Sequence, residues 1–195
     1  MDFSVSHYGW GQVPPFPIVT GSIVADDGRI IVKFDVREYE LRAVNTLHNS
    51  QVCEDSCVEF FCLPFADDPR YMNIEINPLG TAYFAVRTGR KDKVFATPSQ
   101  IKALGILTTI NRSEDDAFWT AEFSLSFELI SELYGRDFAA PVTTLLCNFY
   151  KCGDMHKNPH WGSFSPVKTE NPDFHRPEFF SEVHLQTAAR LHPPL

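Results

Sequence analysis

Hydrophobic and polar residues alternate with a period of two along several short runs of this chain. Ile30, Val32, Phe34 and Val36 share one parity while Lys33, Asp35 and Arg37 share the other, which predicts a strand from Arg29 to Arg37. Asp26-Asp27-Gly28 just before it is a hairpin turn signal. From Val52 to Asn77 the pattern predicts two strands joined by an acidic turn, Phe65-Ala66-Asp67-Asp68-Pro69. Val58, Phe60 and Cys62 in the first strand, and Met72, Ile74 and Ile76 in the second, form an apolar set. Successive side chains of a strand point to opposite faces, so Glu59, Asn73, Glu75 and Asn77 gather on the other face. Further strands are expected over Thr81–Arg87, Phe118–Leu125, Thr143–Lys151 and Phe179–Leu185. Phe127 to Tyr134 reads as the one short helix, opened by Ser126 and closed by Gly135. The stretch around Tyr8, Trp10, Pro14, Pro15, Phe16 and Pro17 is too rich in proline for regular structure and is expected to cross a sheet edge. Cys152 to Arg176 is expected to be a long irregular stretch. Many short strands with almost no helix predict an all-β fold, a two-sheet antiparallel β-sandwich of the jelly-roll or immunoglobulin-like kind. With 195 residues, no internal repeat and no linker, residues 1–195 are expected to form a single domain.

Composition narrows the function. Seventeen basic against 25 acidic residues, net −8, argue against nucleic acid, which needs a basic footprint. No basic amphipathic stretch suggests a membrane surface, and no run approaches the roughly 18 apolar residues of a membrane span. The N-terminus, Met1-Asp2-Phe3-Ser4, lacks the features of a signal peptide. Five cysteines (Cys53, Cys57, Cys62, Cys147, Cys152) cannot all pair, so free thiols in a reducing cytoplasm are the simplest reading. A mature secreted form is the alternative. Cys62 and Cys147 share parity with Phe60 and Phe149 and are expected in the core.

Two regions carry candidate chemistry. The Glu59, Asn73, Glu75 and Asn77 face could hydrogen-bond a polyhydroxylated ligand, although a merely solvated outer face would show the same pattern. The stretch Tyr150–Arg176 holds Trp161, Phe164, Phe174 and three histidines, too aromatic for disorder. Trp161, between His160 and Gly162, reads either as a loop platform for a sugar ring or as a cap on the core. Cys152, Asp154, His156, His160 and His175 are ligand-type residues, but their spacing matches no zinc template. The acidic turn Asp67-Asp68 could serve calcium or simply be solvated. Glu59 and Glu75 could act as the acid and base of a small carbohydrate-active hydrolase or lyase. A Cys152–His175 dyad is also conceivable. A third class, an interaction module that docks a protein partner through its aromatic loop, remains open.

The block Val52-Cys53-Glu54-Asp55-Ser56-Cys57-Val58-Glu59-Phe60-Phe61, with Tyr71-Met72-Asn73-Ile74-Glu75-Ile76-Asn77 after it, resembles the carbohydrate-binding module family 9-like domains. So does the later block Asn148-Phe149-Tyr150-Lys151-Cys152-Gly153-Asp154, followed by Pro172-Asp173-Phe174-His175-Arg176-Pro177. The resemblance covers nearly the whole chain and implies a β-sandwich related to DOMON-like folds that binds a mono- or oligosaccharide without catalysis. Modules of that family appended to xylanases clamp a terminal sugar between two tryptophans, helped by a carboxylate, and carry structural calcium. Carried over, the carboxylate falls on Glu59, the next polar positions on Glu75 and Asn77, and one clamp tryptophan on Trp161. The other would fall near Cys53, where this chain has no aromatic. The expected sugar-binding set is therefore Glu59, Asn73, Glu75, Asn77, Tyr150, Trp161 and His175, with no catalytic and no metal-ligating residue assigned. The kind of sugar and the oligomeric state are left open, and with no catalytic domain in this sequence a tethering role is not expected.

Overall fold

The computed structural model describes residues 1–26, 28–113 and 116–187, and for Gln186 and Thr187 the backbone alone. Its strands are β1 Asp2–Val5, β2 His7–Tyr8, β3 Ile18–Asp26, β4 Arg29–Glu38, β5 Cys57–Leu63, β6 Tyr71–Ile76, β7 Ala82–Arg87 and β8 Lys93–Phe95. Helix α1, Pro98–Ala103, leads to β9 Leu107–Arg112 and β10 Ala117–Ser126, and helix α2 is Phe127–Tyr134. Strands β11 Thr144–Gly153, β12 His160–Ser163, β13 Ser181–His184 and β14 Gln186–Thr187 complete the order.

Two sheets form. The first has the order β1-β3-β4-β10-β9, with β14 also on β3, and the second β2-β12-β11-β5-β6-β7-β8, with β13 also on β11. All pairings are antiparallel except β14 with β3. Ile30, Val32, Phe34, Val36, Trp119, Phe123 and Leu125 face Val58, Phe60, Met72, Ile74, Phe84 and Phe149 across the interior. Phe3 stacks flat on Phe149 from the edge strand β1. Cys62 and Cys147 lie opposite each other in this core, and all five cysteines are unpaired.

Where the alternation is clean, strands appear as expected. Four expectations need correcting. The proline-rich N-terminal stretch carries regular structure at its start, since β1 and β2 pair with β3 and β12. A second helix exists: Thr97 accepts from the Gln100 amide while the Gln100 side chain accepts from Thr97, a reciprocal cap that starts α1 at Pro98. The stretch 152–176 is not wholly irregular, because β11 runs to Gly153 and β12 carries Trp161 on a strand rather than a loop. The last strand begins at Ser181, after a 3-10 turn at Pro177–Phe179. Helix α2 follows the expected caps, with Ser126 accepting from the Leu129 amide and Gly135 left-handed at φ 62°. Asp27 of the hairpin signal lies outside the described residues, but β3 and β4 do pair, with Asp26 opposite Arg29.

Strand β3 escapes a reading by alternation because Gly21 interrupts it. That glycine is required: a Cβ there would sit 2.2 Å from the Lys33 carbonyl oxygen and 2.4 Å from the Phe3 ring. Gly21→Ala should therefore destabilise the fold by about 1–3 kcal/mol, as overpacking does, measurable by urea unfolding. An unchanged midpoint would mean that β1 can lift off without cost.

The outer face of the second sheet is not wet. Cys57, Phe61, Tyr71, Tyr83, Tyr150 and Cys152 on that face pack with Val52 from the connection before β5 and with Phe174 and Phe180 from the returning C-terminal segment, forming a second apolar cluster. This cover stops short of one region of the sheet, and a cleft opens there.

A recessed carboxylate pair beneath Trp161

The cleft has a volume of about 360 Å³ and is lined by Glu59, Glu75, Tyr83, Arg87, Cys152, Asp154, Trp161, Phe174 and His175, among others. Its floor follows from strand register. Glu59 on β5 lies directly opposite Glu75 on β6, and Glu75 opposite Tyr83 on β7. Trp161 is the cross-strand partner of Cys152, which is in turn the partner of Cys57. With strands about 4.8 Å apart, the four steps from β12 to β7 place Trp161 and Tyr83 roughly 19 Å apart along the floor, on either side of the glutamates.

Each wall is held from behind. The Trp161 indole N–H donates to Asp154 Oδ1 at 2.7 Å, and its backbone is gripped by Gln12, which accepts from the Trp161 amide at 2.6 Å and donates to its carbonyl at 2.9 Å. Tyr83 packs edge-on against Phe95, with Lys93 near both rings. Phe174 is stacked on Tyr150 with ring centroids 4.2 Å apart.

Glu59 and Glu75 are only 4% and 7% exposed. Burial pushes the Glu59 carboxyl well above the usual carboxylate range, and the neighbouring Glu75 charge pushes it further. Burial raises Glu75 to about 7, against the lowering effects of its hydrogen bond from Asn73 and of nearby Arg87. The pair thus retains a proton near neutrality, so it can both donate and accept hydrogen bonds.

Behind the glutamates stands a polar chain. Asn73 donates to Glu75 Oε1 at 3.1 Å, and Arg87 donates to Asn73 Oδ1 at 2.6 Å. The same Arg87 nitrogen lies 3.3 Å from His175 Nε2, and Tyr71 Oη lies 3.0 Å from His175 Nδ1. Guanidinium can only donate, so Nε2 accepts and the proton belongs on Nδ1. Burial, reinforced by Arg87, depresses His175 to about 3, consistent with this neutral ring.

Of the seven residues expected to bind sugar, Glu59, Glu75, Trp161 and His175 are brought together on the cleft. Asn73, Asn77 and Tyr150 stand behind it. Asn77 is spent on structure, donating to Asn45 O and Asp55 Oδ2 while accepting from the Leu79 and Thr81 amides. Tyr150 is fully buried and donates to the Phe174 carbonyl. Tyr83, Arg87, Arg90, Lys93 and Asp173 line the cleft without having been singled out, and Asp154, weighed only as a metal ligand, joins them. For Tyr83 a signal existed, since a tight turn after Asn77 pairs it with Glu75.

The Cys152–His175 alternative lacks the needed geometry. His175 spends both ring nitrogens on Tyr71 and Arg87, and the Cys152 thiol donates to Cys53 O at 3.6 Å, so the two form no dyad.

The sequence model of carbohydrate-binding family 9 matches residues 2–185. The chain belongs to carbohydrate-binding family 9. Among solved structures, this family 9 member is similar to a protein of Bacteroides uniformis assigned as carbohydrate-binding, with 26% identity and a TM-score of 0.82 over 95% of this chain and 86% of that one. A family 9 module of Caldicellulosiruptor kristjanssonii in complex with cellotriose shares 12% identity, with a TM-score of 0.61 over 100% of this chain and 87% of that one. A family 9 module of the same organism in complex with glucose gives 12%, 0.57, 96% and 88%. These latter two show the shared β-sandwich fold. Among curated proteins, no sequence matches the chain.

The acidic turn Asp67-Asp68, weighed above for calcium, does not fit it. Calcium takes six to eight oxygen ligands. Asp67 and Asp68 are instead paired with Arg136 at 2.7 Å and Arg70 at 2.6 Å. Among the described residues, the one group of three or more metal-ligating side chains within reach of a common ion includes two cysteines. The histidines of the 150–176 stretch also diverge: His160 Nε2 faces Lys151 Nζ, and His156 Nε2 faces the Glu40 carbonyl.

Proposed function

We propose that this family 9 domain binds the end of a saccharide in the cleft, without chemistry, by stacking one pyranose face on Trp161 over the Glu59–Glu75 floor. The observation that carries this reading is the proton-sharing carboxyl pair recessed beside a braced, half-buried tryptophan. A sugar ring offers an apolar C–H face and a rim of hydroxyls that each donate and accept. Trp161 supplies the flat surface, and the carboxyl pair can accept from one hydroxyl while donating to another. Asn73 and Arg87 hold Glu75 in place, so little is lost in ordering it. The cellotriose and glucose complexes of family 9 modules support gluco-configured sugars as first ligands to try. The unpaired thiols support a reducing, cytoplasmic location. No helix among the described residues is long and apolar enough to cross a membrane.

Calorimetry with glucose, cellobiose and cellotriose, preceded by a glycan screen, tests the reading. Affinity is expected on the order of 0.1–1 mM, or about −4 to −5.5 kcal/mol. Trp161→Ala should weaken it at least about tenfold, and Glu59→Gln should cost roughly 1–3 kcal/mol. Chromatography after prolonged incubation should show no product. If Trp161→Ala binds a captured sugar as tightly as the parent, the tryptophan is a cover for the apolar cluster and the site lies elsewhere.

A further inference from the structure

Three side chains on the cleft floor have donor atoms within 4.8 Å of one another: Cys57, Glu59 and Cys152. Cys57 and Glu59 share a face of β5, and Cys152 is the residue of β11 directly opposite Cys57. From these we propose that the cleft holds a thiophilic divalent cation, zinc in class, on Cys57 Sγ, Cys152 Sγ and a Glu59 carboxylate oxygen, with its fourth position open to the cleft. The inference goes beyond the saccharide reading and does not depend on it, although Glu59 belongs to both.

Several observations converge. Tetrahedral zinc with bonds of about 2.3 Å to sulfur and 2.0 Å to oxygen sets its ligands roughly 3.5–3.8 Å apart. From the upper limit of 4.8 Å, the spread needs to contract by no more than about 1.3 Å, within reach of cysteine and glutamate rotamers. The thiols' partners outside the site are weak: Cys57 donates to the Val58 carbonyl and Cys152 to the Cys53 carbonyl, each at 3.6 Å, while within the site Cys152 is hydrogen-bonded to Cys57 and Glu59. The site is reachable, because Glu59 and Cys152 both line the cleft. Two sulfurs and a carboxylate suit zinc, cobalt or cadmium and exclude calcium or magnesium as preferred guests. On binding, the two thiol protons and any proton on Glu59 leave to solvent, giving a site of net charge −1.

The other cross-strand thiol pair shows what an inert arrangement looks like. Cys62 and Cys147 also lie opposite each other on β5 and β11, but they point into the sealed inter-sheet core among apolar neighbours. The pair on the cleft side has a carboxylate and an entrance. No zinc template was legible in the sequence because the ligands are contributed by two strands almost a hundred residues apart.

The full chain, reduced and stripped with EDTA, would be titrated with cobalt(II) and then zinc(II). Thiolate-to-cobalt charge-transfer absorption should appear, saturate at about one cobalt per chain, and vanish on addition of an equal amount of zinc. Cys152→Ser should lower the affinity more than about 100-fold, beyond the roughly 10–100-fold that loss of a supporting hydrogen bond costs. Glu59→Gln, which preserves shape, should lower it at least about tenfold while keeping the charge-transfer band at saturation. Absence of that band in the parent protein at excess cobalt overturns the site, whatever the variants do. So does a band that survives intact in both Cys57→Ser and Cys152→Ser. Saccharide titrations run in EDTA keep failure of the ion site separate from failure of the sugar site.

Discussion

Lys151→Met is expected to destabilise the domain by about 3–5 kcal/mol, the usual consequence of removing one partner of a buried ion pair. Lys151 is fully buried, and its ammonium reaches Glu38 Oε2 at 3.2 Å, His160 Nε2 at 2.9 Å and the Cys152 carbonyl at 3.0 Å. Two of its protons have hydrogen-bond acceptors, His160 Nε2 and the Cys152 carbonyl, and Glu38 is held as an ion pair. Glu38, on the opposite sheet, accepts with its other oxygen from the Trp119 indole at 2.6 Å. The lysine thus ties β11 to β4 and β10 through charge in the middle of an apolar interior. Methionine fills the same volume but leaves the Glu38 carboxylate buried without a counter-charge. Adding Glu38→Gln to Lys151→Met should return much of the lost stability, because a dry neutral pair carries no such penalty. Urea unfolding of the two single variants and the double variant checks this. A loss below about 1 kcal/mol for Lys151→Met would show that this ion pair does not hold the two sheets together.

The second large effect concerns acidity. Burial, with Lys151 beside it, depresses His160 to about 2, and burial, with Arg87, depresses His175 to about 3. Below about pH 6.5 the unfolded chain therefore takes up two protons that the folded chain refuses, which lowers stability as pH falls. The raised Glu59 and Glu75 act in the opposite sense. Their folded forms keep protons that the unfolded chain sheds above about pH 4.5, so their contribution is present at low pH and is lost as pH rises through about 7 and beyond. In the metal-free protein the two effects offset each other between about pH 4.5 and 6.5, giving a plateau. Below pH 4.5 the glutamate contribution stops changing while the histidines still act, so those two should lower stability by about 2.7 kcal/mol per pH unit, twice the 1.36 kcal/mol of one proton, and the arginine-paired Asp67 and Asp68 add to the loss in more acid solution. Stability should also decline above neutrality. Denaturant midpoints measured from pH 8 to 3.5 test the shape, and a maximum at pH 8 would show that the glutamates are ionised in the folded state.

Period-two alternation carried much of the architecture. It placed β4, β5, β6 and β10, and it gathered Glu59 and Glu75 on one face before any pairing was known. It could not reveal what covers that face. Asn77 and Tyr150 share the parity of the cleft residues, yet one is absorbed by the Asp55 and Thr81 turns and the other lies beneath Phe174. Parity assigns a side of a sheet but not the segment laid across it. Exposed strands were missed for the opposite reason. All but one residue of β9 is exposed, so it has no apolar repeat to betray it, and β8 is exposed throughout. Tyr83 and the basic residues Arg87, Arg90 and Lys93 became part of the site only once the β5-β6-β7 register set them beside the glutamates.

Because the returning segment with Phe174 and Phe180 packs on the outside of the second sheet, the domain has two interiors with separate duties. The inter-sheet core sets whether the chain folds, while the outer cluster sets what the cleft looks like. Residues at the cleft rim such as Arg90, Lys93 and Asp173 touch solvent and one another rather than the inner core. That rim and the crossing segment can therefore be rewritten with the sandwich left untouched. The shape of the cleft is thus uncoupled from the stability of the fold.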